Sequence, residues 1–312
     1  IAFIYPGQGA QKAGMGADFY ENSEIARYIF DQAGEELDLD MKELCFEEND
    51  RLDLTEYTQA AMVTTCLAMT RVAESKGLKA DITAGLSLGE YPAIAAAGGM
   101  NDMDAIRLVR KRGILMQNTV PAGEGAMCAV ISMAAEEIEK VIEPIADVSV
   151  ANYNCPGQIV ITGKTDAVEE AAAKLKEAGA RRAIMLNVSG PFHSQMLVPA
   201  GEKLAEELEH TRFHELRIPY VTNVTAEKVT DIRETPGLLT TQISSPVRWM
   251  QSMERMIADG VDTFVEIGPG KTLEGFLRKI DRSVKVFHIS QWEDVDKVCT
   301  ELADSGKMME EA

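Results

Sequence analysis

The chain has 312 residues, 46% hydrophobic and 26% charged, the balance of a soluble globular protein built as one elaborated domain or two modest ones. Its net charge of -19 opposes a phosphate backbone and argues against a nucleic-acid role. No stretch approaches the ~20 uncharged apolar residues of a membrane span, and five cysteines without a C-x-x-C pair argue against a disulfide scaffold or zinc site and fit a reducing cytoplasm.

In chain order, IAFIY (residues 1–5) lacks the basic start and long apolar run of a signal peptide and reads as a buried strand entering a loop. Residues 58–75 have helical periodicity. ADITAGLS (80–87) reads as strand, LGEYPAIAAA (88–97) as a helix stopped by Gly98 and Gly99, and residues 102–120 as a further helix. The middle differs. Residues 125–133 read as strand, 134–145 as helix, 147–154 and 158–163 as two strands around Cys155-Pro156-Gly157, 166–179 as helix and 180–188 as strand. That order, β-α-β-β-α-β, is the ferredoxin-like unit. Near the end, 261–268 and 284–290 read as strands and 271–280 and 293–304 as helices. The alternation predicts an α/β fold with a parallel sheet: residues 1–122 and 188–312 form the large domain, and 123–187 an inserted ferredoxin-like subdomain.

Two GKT runs, at 163–165 and 270–272, fail as phosphate loops because Gln158 and Val265 stand where the first glycine is needed. The opening GQGAQK fails as a dinucleotide fingerprint at Lys12. GLSLGEY (85–91) allows two readings. Gly85 and Gly89 around Ser87, between strand and helix, spell a nucleophile elbow whose helix start also offers amides to an oxyanion. Ser87 and Glu90 also have the spacing of a helix capping box, which explains neither glycine. A serine nucleophile needs a base. His210 and His214 have a four-residue spacing that suits a metal on a helix face, but their charged surroundings read as surface; His288 reads as a strand residue. His193, in the Gly-Pro loop of NVSGPFHSQM, is the best candidate. Arg112, followed by an apolar stretch, reads as a solvated helix charge or as a buried bidentate carboxylate receptor.

Taken together, YPGQGAQ, YTQAA, GLSLGEY, RLVRKRGILMQ, NYNCPGQIVITG, SGPFHSQML, TTQISSPVRW and FVEIGPGKTL occur in one order across almost the whole chain. That ordered set resembles the malonyl-CoA:acyl carrier protein transacylases, and more broadly the acyltransferase domains of fatty acid and polyketide synthases. The resemblance implies an α/β-hydrolase-like core with a ferredoxin-like subdomain. It implies that Ser87 is the acylated nucleophile and His193 its base, with the Gln242 backbone carbonyl in place of an acidic triad member. The resemblance further implies that Gln8 and Leu88 supply oxyanion-hole amides and that Arg112 pairs with the malonyl carboxylate, with Gln59, Leu86, Met116 and Phe192 expected to line the pocket. Leu86 departs from the histidine most members carry there, and Phe192 from the serine of many stand-alone members.

The expected substrates are malonyl-CoA and the phosphopantetheine thiol of an acyl carrier protein in fatty acid synthesis, with no cofactor, metal, nucleic acid or membrane, in a cytoplasmic monomer. An acidic carrier must find a local basic rim on this acidic chain, and Arg107, Arg110, Lys111, Arg278, Lys279 and Arg282 are its candidates. The alternatives are a serine hydrolase or thioesterase with Asp147 or Asp166 as the triad acid, and a non-catalytic carrier-binding module.

Overall fold

The computed structural model describes residues 1–308. Residues 309–312, the end of the segment assigned to the large domain, lie outside the described residues. In chain order the strands are β1 (Ala2–Tyr5), β2 (Ile82–Gly85), β3 (Gly125–Ile131), β4 (Val148–Cys155), β5 (Gln158–Lys164), β6 (Arg182–Met185), β7 (Tyr220–Val221), β8 (Lys228–Val229), β9 (Thr263–Ile267) and β10 (Lys285–Ile289).

Six of them form a sheet in the order β10-β9-β1-β2-β7-β8. It is parallel from β10 to β7, and only β8 turns back. The apolar run at the start of the chain sits at its centre. Successive β1 side chains point to opposite faces, so Phe3 and Tyr5 enter one core while Ala2 and Ile4 enter another. Because the strands are parallel, the loops after β1, β2 and β9 emerge at one edge, where open α/β sheets place their ligands.

The remaining strands form an antiparallel sheet in the order β4-β5-β3-β6. Helices Ala135–Ile142 and Thr165–Glu177 intervene in the expected β-α-β-β-α-β order. Cys128 and Val130 of β3 pack with Ile138, Ile161 and Leu175 into a core of their own. The alternate residues Met127 and Ala129 turn instead toward the large core. The smaller sheet is tied to the segment before helix Trp249–Ala258 at Val247, which accepts from the Tyr153 amide (2.9 Å) and donates to the Ala151 carbonyl (2.8 Å).

The strand and helix assignments made from the sequence all fall on elements of their type. Several elements carry no assignment: helices Ala17–Asn22, Glu24–Leu37, Met41–Phe46, Val198–Glu209, Thr235–Gln242 and Trp249–Ala258, and strands β7 and β8. Both strands are two residues long, too short to show an alternation. The four-residue spacing of His210 and His214 does not lie on one helix face, because the helix ends at Glu209. His214 sits beyond it, its amide bonded to the Gly99 carbonyl. His288 lies in β10, as read.

Two helices carry the site into the core. Thr55–Ser75 is buried around most of its circumference, and Thr64 and Thr70 satisfy their hydroxyls on carbonyls one turn back, both at 2.7 Å. Asp102–Asn118 packs closely on it at Gly113, where an added Cβ would stand 2.8 Å from the Thr55 carbonyl oxygen. This approach places the neighbouring Arg112 over the first helix. Gly113→Ala would gain up to ~1 kcal/mol of helix propensity, yet it should lower the melting temperature because the clash outweighs that gain. A raised melting temperature would mean that the helices can separate freely.

Candidate active site

Gly85 ends β2 and Ser87 stands on a turn of 3-10 helix, Ser87–Gly89, which leads into helix Glu90–Ala96. Ser87 has φ 54°, the left-handed conformation an L-residue holds only when its surroundings impose it. Both flanking glycines are required by contact. A Cβ on Gly85 would lie 1.8 Å from the Gly89 carbonyl oxygen, and one on Gly89 would lie 2.4 Å from the Tyr5 carbonyl oxygen. The local chain is therefore an elbow. The capping box does not form: neither this turn nor the following helix has a side-chain cap, and the Ser87 amide donates to Asn223 Oδ1 at 2.8 Å. The regular helix begins at Glu90, not Ser87.

The elbow presents Ser87 Oγ to His193 Nε2 at 2.8 Å, and His193 Nδ1 meets the Gln242 backbone carbonyl at 2.9 Å. With that carbonyl as acceptor, Nδ1 carries the proton and Nε2 is free to accept from the serine. Burial pushes His193 down to about 4, reinforced by the Arg112 charge and opposed by the Gln242 hydrogen bond. His193 is thus a neutral acceptor at ordinary pH. Asp147 pairs with Lys164 at 2.8 Å and Asp166 bonds the Ala167 amide at 2.8 Å, so neither proposed triad acid is the partner of His193.

Arg112 is fully buried. It donates to Gln59 Oε1 (2.8 Å), Ser87 Oγ (3.0 Å) and Gln242 Oε1 (3.1 Å), while its Nε has no partner. Its guanidinium carbon lies 5.5 Å from the Tyr91 ring centroid. Among the described residues no carboxylate forms an ion pair with it. Burial lowers its pKa. Burying a charge is costly unless it is paired, so a cation so placed can receive an anion.

These groups share a cleft of about 270 Å³ between the two sheets. Its walls include Gln8, Gln59, Leu86, Leu88, Met116 and Phe192. The loop after β1 lies hard against the elbow, since a Cβ on Gly7 would stand 2.8 Å from the Leu86 carbonyl oxygen. Gln8 and Leu88 thereby come to the same cleft as Ser87. Met127, Asn152, Asn154, Val160 and Leu186 supply the wall from the smaller sheet and its flank.

Several residues here carried no role in the sequence reading. Asn223 braces the elbow, donating to the Gly85 carbonyl (2.7 Å) and accepting from the Ser87 amide. Glu90, read only as half a capping box, turns inward instead. Asn154 has a buried Oδ1 without a partner. Asn152 and Asn154 belong to the quoted NYNCPGQIVITG run, whereas Asn223 lies in a short polar loop that offered no spacing signal.

The basic candidates separate into two surfaces. Arg107 is paired with Glu36 and Asp104, Arg110 with Glu56 while stacked over Tyr57, and Lys111 lies 3.8 Å from Glu207. Arg278, Lys279 and Arg282 line an open hollow beside helix Thr272–Ile280, whose Thr272, Leu273 and Phe276 line the cleft itself. Among the described residues no group of three or more His, Cys, Asp or Glu side chains is placed to hold a metal, and no helix is long and apolar enough to cross a membrane.

The family model described as the acyl transferase domain matches residues 2–295. The malonyl CoA-acyl carrier protein transacylase of Bacillus subtilis is 44% identical over 95% of both chains. That of Staphylococcus aureus is 40% identical over 94% of this chain and 96% of its own. The Clostridium perfringens enzyme of the same name superposes with a TM-score of 0.94 at 42% identity, covering 98% of each chain. A malonyl-transacylase solved in complex with a type II polyketide acyl-carrier protein gives 0.93 at 36% identity, covering 96% of this chain and 99% of its own. The chain belongs to the acyl transferase family, and within it to the malonyl CoA-acyl carrier protein transacylases.

The His193 environment predicts a pH profile for the modification of Ser87 by a neutral serine-directed sulfonyl fluoride. Only neutral imidazole accepts the proton, so the rate should be flat from about pH 6 upward and half-lost near the His193 pKa of about 4. A midpoint near the free-histidine value of ~6.5 would contradict the burial argument.

Proposed function

We propose that this chain transfers a malonyl group from malonyl-CoA to the phosphopantetheine thiol of an acyl carrier protein, through a malonyl-serine intermediate, for fatty acid synthesis. The observation that carries the proposal is Arg112: a buried guanidinium without an ion-pair partner among the described residues, 3.0 Å from Ser87 Oγ.

His193 takes the Ser87 proton as the hydroxyl attacks the malonyl thioester carbonyl. The backbone amides of Gln8 and Leu88 receive the developing oxyanion; removing one such donor typically costs ~10² to 10³ in rate. The C–S bond then breaks, and His193 returns the proton to the CoA sulfur. In the second half the carrier thiol gives its proton to His193 and attacks the malonyl-serine carbonyl. The bond to Ser87 breaks and Oγ recovers the proton. Arg112 binds the free malonyl carboxylate in both halves, with Gln59 bonded to its guanidinium. Phe192, with Leu86 and Met116, fills the space around the malonyl methylene and excludes an α-methyl branch. Neither half needs a metal or bound cofactor.

The hydrolase reading has less support, because the histidine is oriented by a carbonyl and not a carboxylate. We also take residues 1–122 with 188–312 as one unit and 123–187 as the insertion, a division supported by β3 starting at Gly125 and β6 ending at Met185. The same reading makes the protein a cytoplasmic monomer, which sedimentation and cell fractionation would test.

Incubation with malonyl-CoA should add one malonyl mass to Ser87 with one release of CoA. Methylmalonyl-CoA should add little and Ser87→Ala nothing. Continuous hydrolysis would favour the esterase reading instead. Arg112→Ala should lose most of its preference for malonyl-CoA over acetyl-CoA; full retention would overturn the role given to the arginine.

For the carrier, the hollow of Arg278, Lys279 and Arg282 is the better of the two basic surfaces, because it adjoins the cleft and its cations are less fully paired. Reversing these charges should raise the carrier-protein KM about tenfold or more and leave malonyl-CoA loading intact. Reversing Arg107, Arg110 and Lys111 should matter less, and equal effects would remove the distinction.

A further inference from the structure

Gln242 is nearly fully buried at the end of its helix and belongs to two hydrogen-bond paths at once. Its main-chain carbonyl orients His193. Its side-chain Oε1 accepts from Arg112 at 3.1 Å. Its Nε2 donates to Glu90 Oε2 at 2.8 Å and to the Ser87 carbonyl at 2.9 Å, with Asn223 Oδ1 at 3.2 Å. Glu90, fully buried, is held in turn by the Asn223 main-chain amide at 3.1 Å, while its other oxygen has no hydrogen-bond partner among the described residues.

We infer that Glu90 is a positioning residue for malonyl selectivity, acting on Arg112 through the Gln242 amide. This inference rests on the reading of Arg112 as the malonyl receptor.

A side-chain amide can be turned end for end at almost no change in shape. In the observed sense, Nε2 faces acceptors and Oε1 faces the guanidinium. Turned over, Nε2 would meet Arg112 donor to donor, and Oε1 would face the Glu90 oxygen acceptor to acceptor. The Ser87 carbonyl, Asn223 Oδ1 and Arg112 favour the first sense as well, and Glu90 Oε2, the shortest of the three contacts of Nε2 and the ionisable one, adds the largest share of that preference. Its placement also answers a conflict in the pocket. A carboxylate bonded directly to Arg112 would occupy the fork needed by malonate. With no buried carboxylate nearby, the amide that supports the fork would lose its strongest anchor. Setting one glutamine between them fixes the guanidinium and leaves its open edge to the substrate. Acetyl transfer uses Ser87 and His193 without the carboxylate contact, so it should depend much less on this arrangement.

The test compares the malonyl-CoA to acetyl-CoA ratio of kcat/KM for Ser87 loading in the full-length protein, with folding monitored by circular dichroism. Glu90→Leu should lower the ratio about tenfold or more, the usual scale for losing a hydrogen bond to a charged group. Glu90→Gln keeps an acceptor oxygen of the same reach and should hold the ratio within about threefold. Should Glu90→Leu not fold, Glu90→Asp, which is too short to reach Gln242, supplies the same comparison and should lower the ratio. An unchanged ratio in Glu90→Leu or Glu90→Asp, including equal losses for both substrates, overturns the inference. So does a Glu90→Gln ratio as low as that of the disruptive variant. Arg112→Ala is run beside them. If it keeps the wild-type ratio, the malonyl-receptor reading itself fails; if it loses the ratio while Glu90→Leu does not, only the role of Glu90 fails.

Discussion

The site is organised by the cost of burying a guanidinium. Arg112 has left water without an ion pair among the described residues, and its charge is met by side-chain oxygens of Gln59, Gln242 and Ser87. Neutral acceptors support a cation less strongly than a carboxylate does, so part of its desolvation is left uncompensated. Under the proposed function, the substrate's carboxylate supplies what the protein withholds. Much of the nearby packing follows from this requirement: the helix of Gln59 must approach the helix of Arg112 closely, and Gly113 permits that approach.

The same arginine touches Ser87 Oγ, so an anion bound to it would lie beside that hydroxyl, and the proposed charge recognition and acyl transfer cannot be arranged independently. The elbow holds Ser87 in a strained conformation, and that strain is restrained by bonds from outside the turn. Asn223 accepts from the Ser87 amide, and Gln242 donates to its carbonyl. Both partners come from segments more than a hundred residues further along the chain. The buried Glu90 connects them, with its pKa pushed up to about 7, mainly by burial and against the hydrogen bonds of Asn223 and Gln242. Serine, histidine and arginine thus share one polar network between apolar layers, and such a network stays ordered only when its members restrain one another.

Local chemistry made a large part of this legible in the sequence. The flanking glycines of Ser87, the loop around His193 and the alternation of the middle segment each have a short-range physical cause. The ordered motifs singled out Arg112 and Gln242, which spacing alone left undecided. The missing pieces depend on contacts between distant segments. Strand β7 is two residues long and owes its place to pairing with β2. Glu90 has a polar side chain at a helix start, where solvent or capping is the ordinary expectation, and only the neighbouring Asn223 and Gln242 turn it inward. The pairing of Arg107, Arg110 and Lys111 with nearby acids could not be read from a basic run alone.

The cleft has walls of different provenance. Ser87, Arg112 and Gln242 stand on the turn after β2 and on helices beside the large sheet, and His193 on the loop after β6, while Met127, Asn152, Asn154 and Val160 project from the smaller sheet. That division lets one wall vary on its own. Side chains that β4 and β5 point into the cleft make none of the hydrogen bonds that join Ser87, His193 and Arg112, so they shape the space around the thioester without entering that network. The backbone bonds at Val247 anchor β4, and with it Asn152 and Asn154, to the segment that follows Gln242, so the polar wall and the carbonyl that orients His193 are held by one stretch of chain.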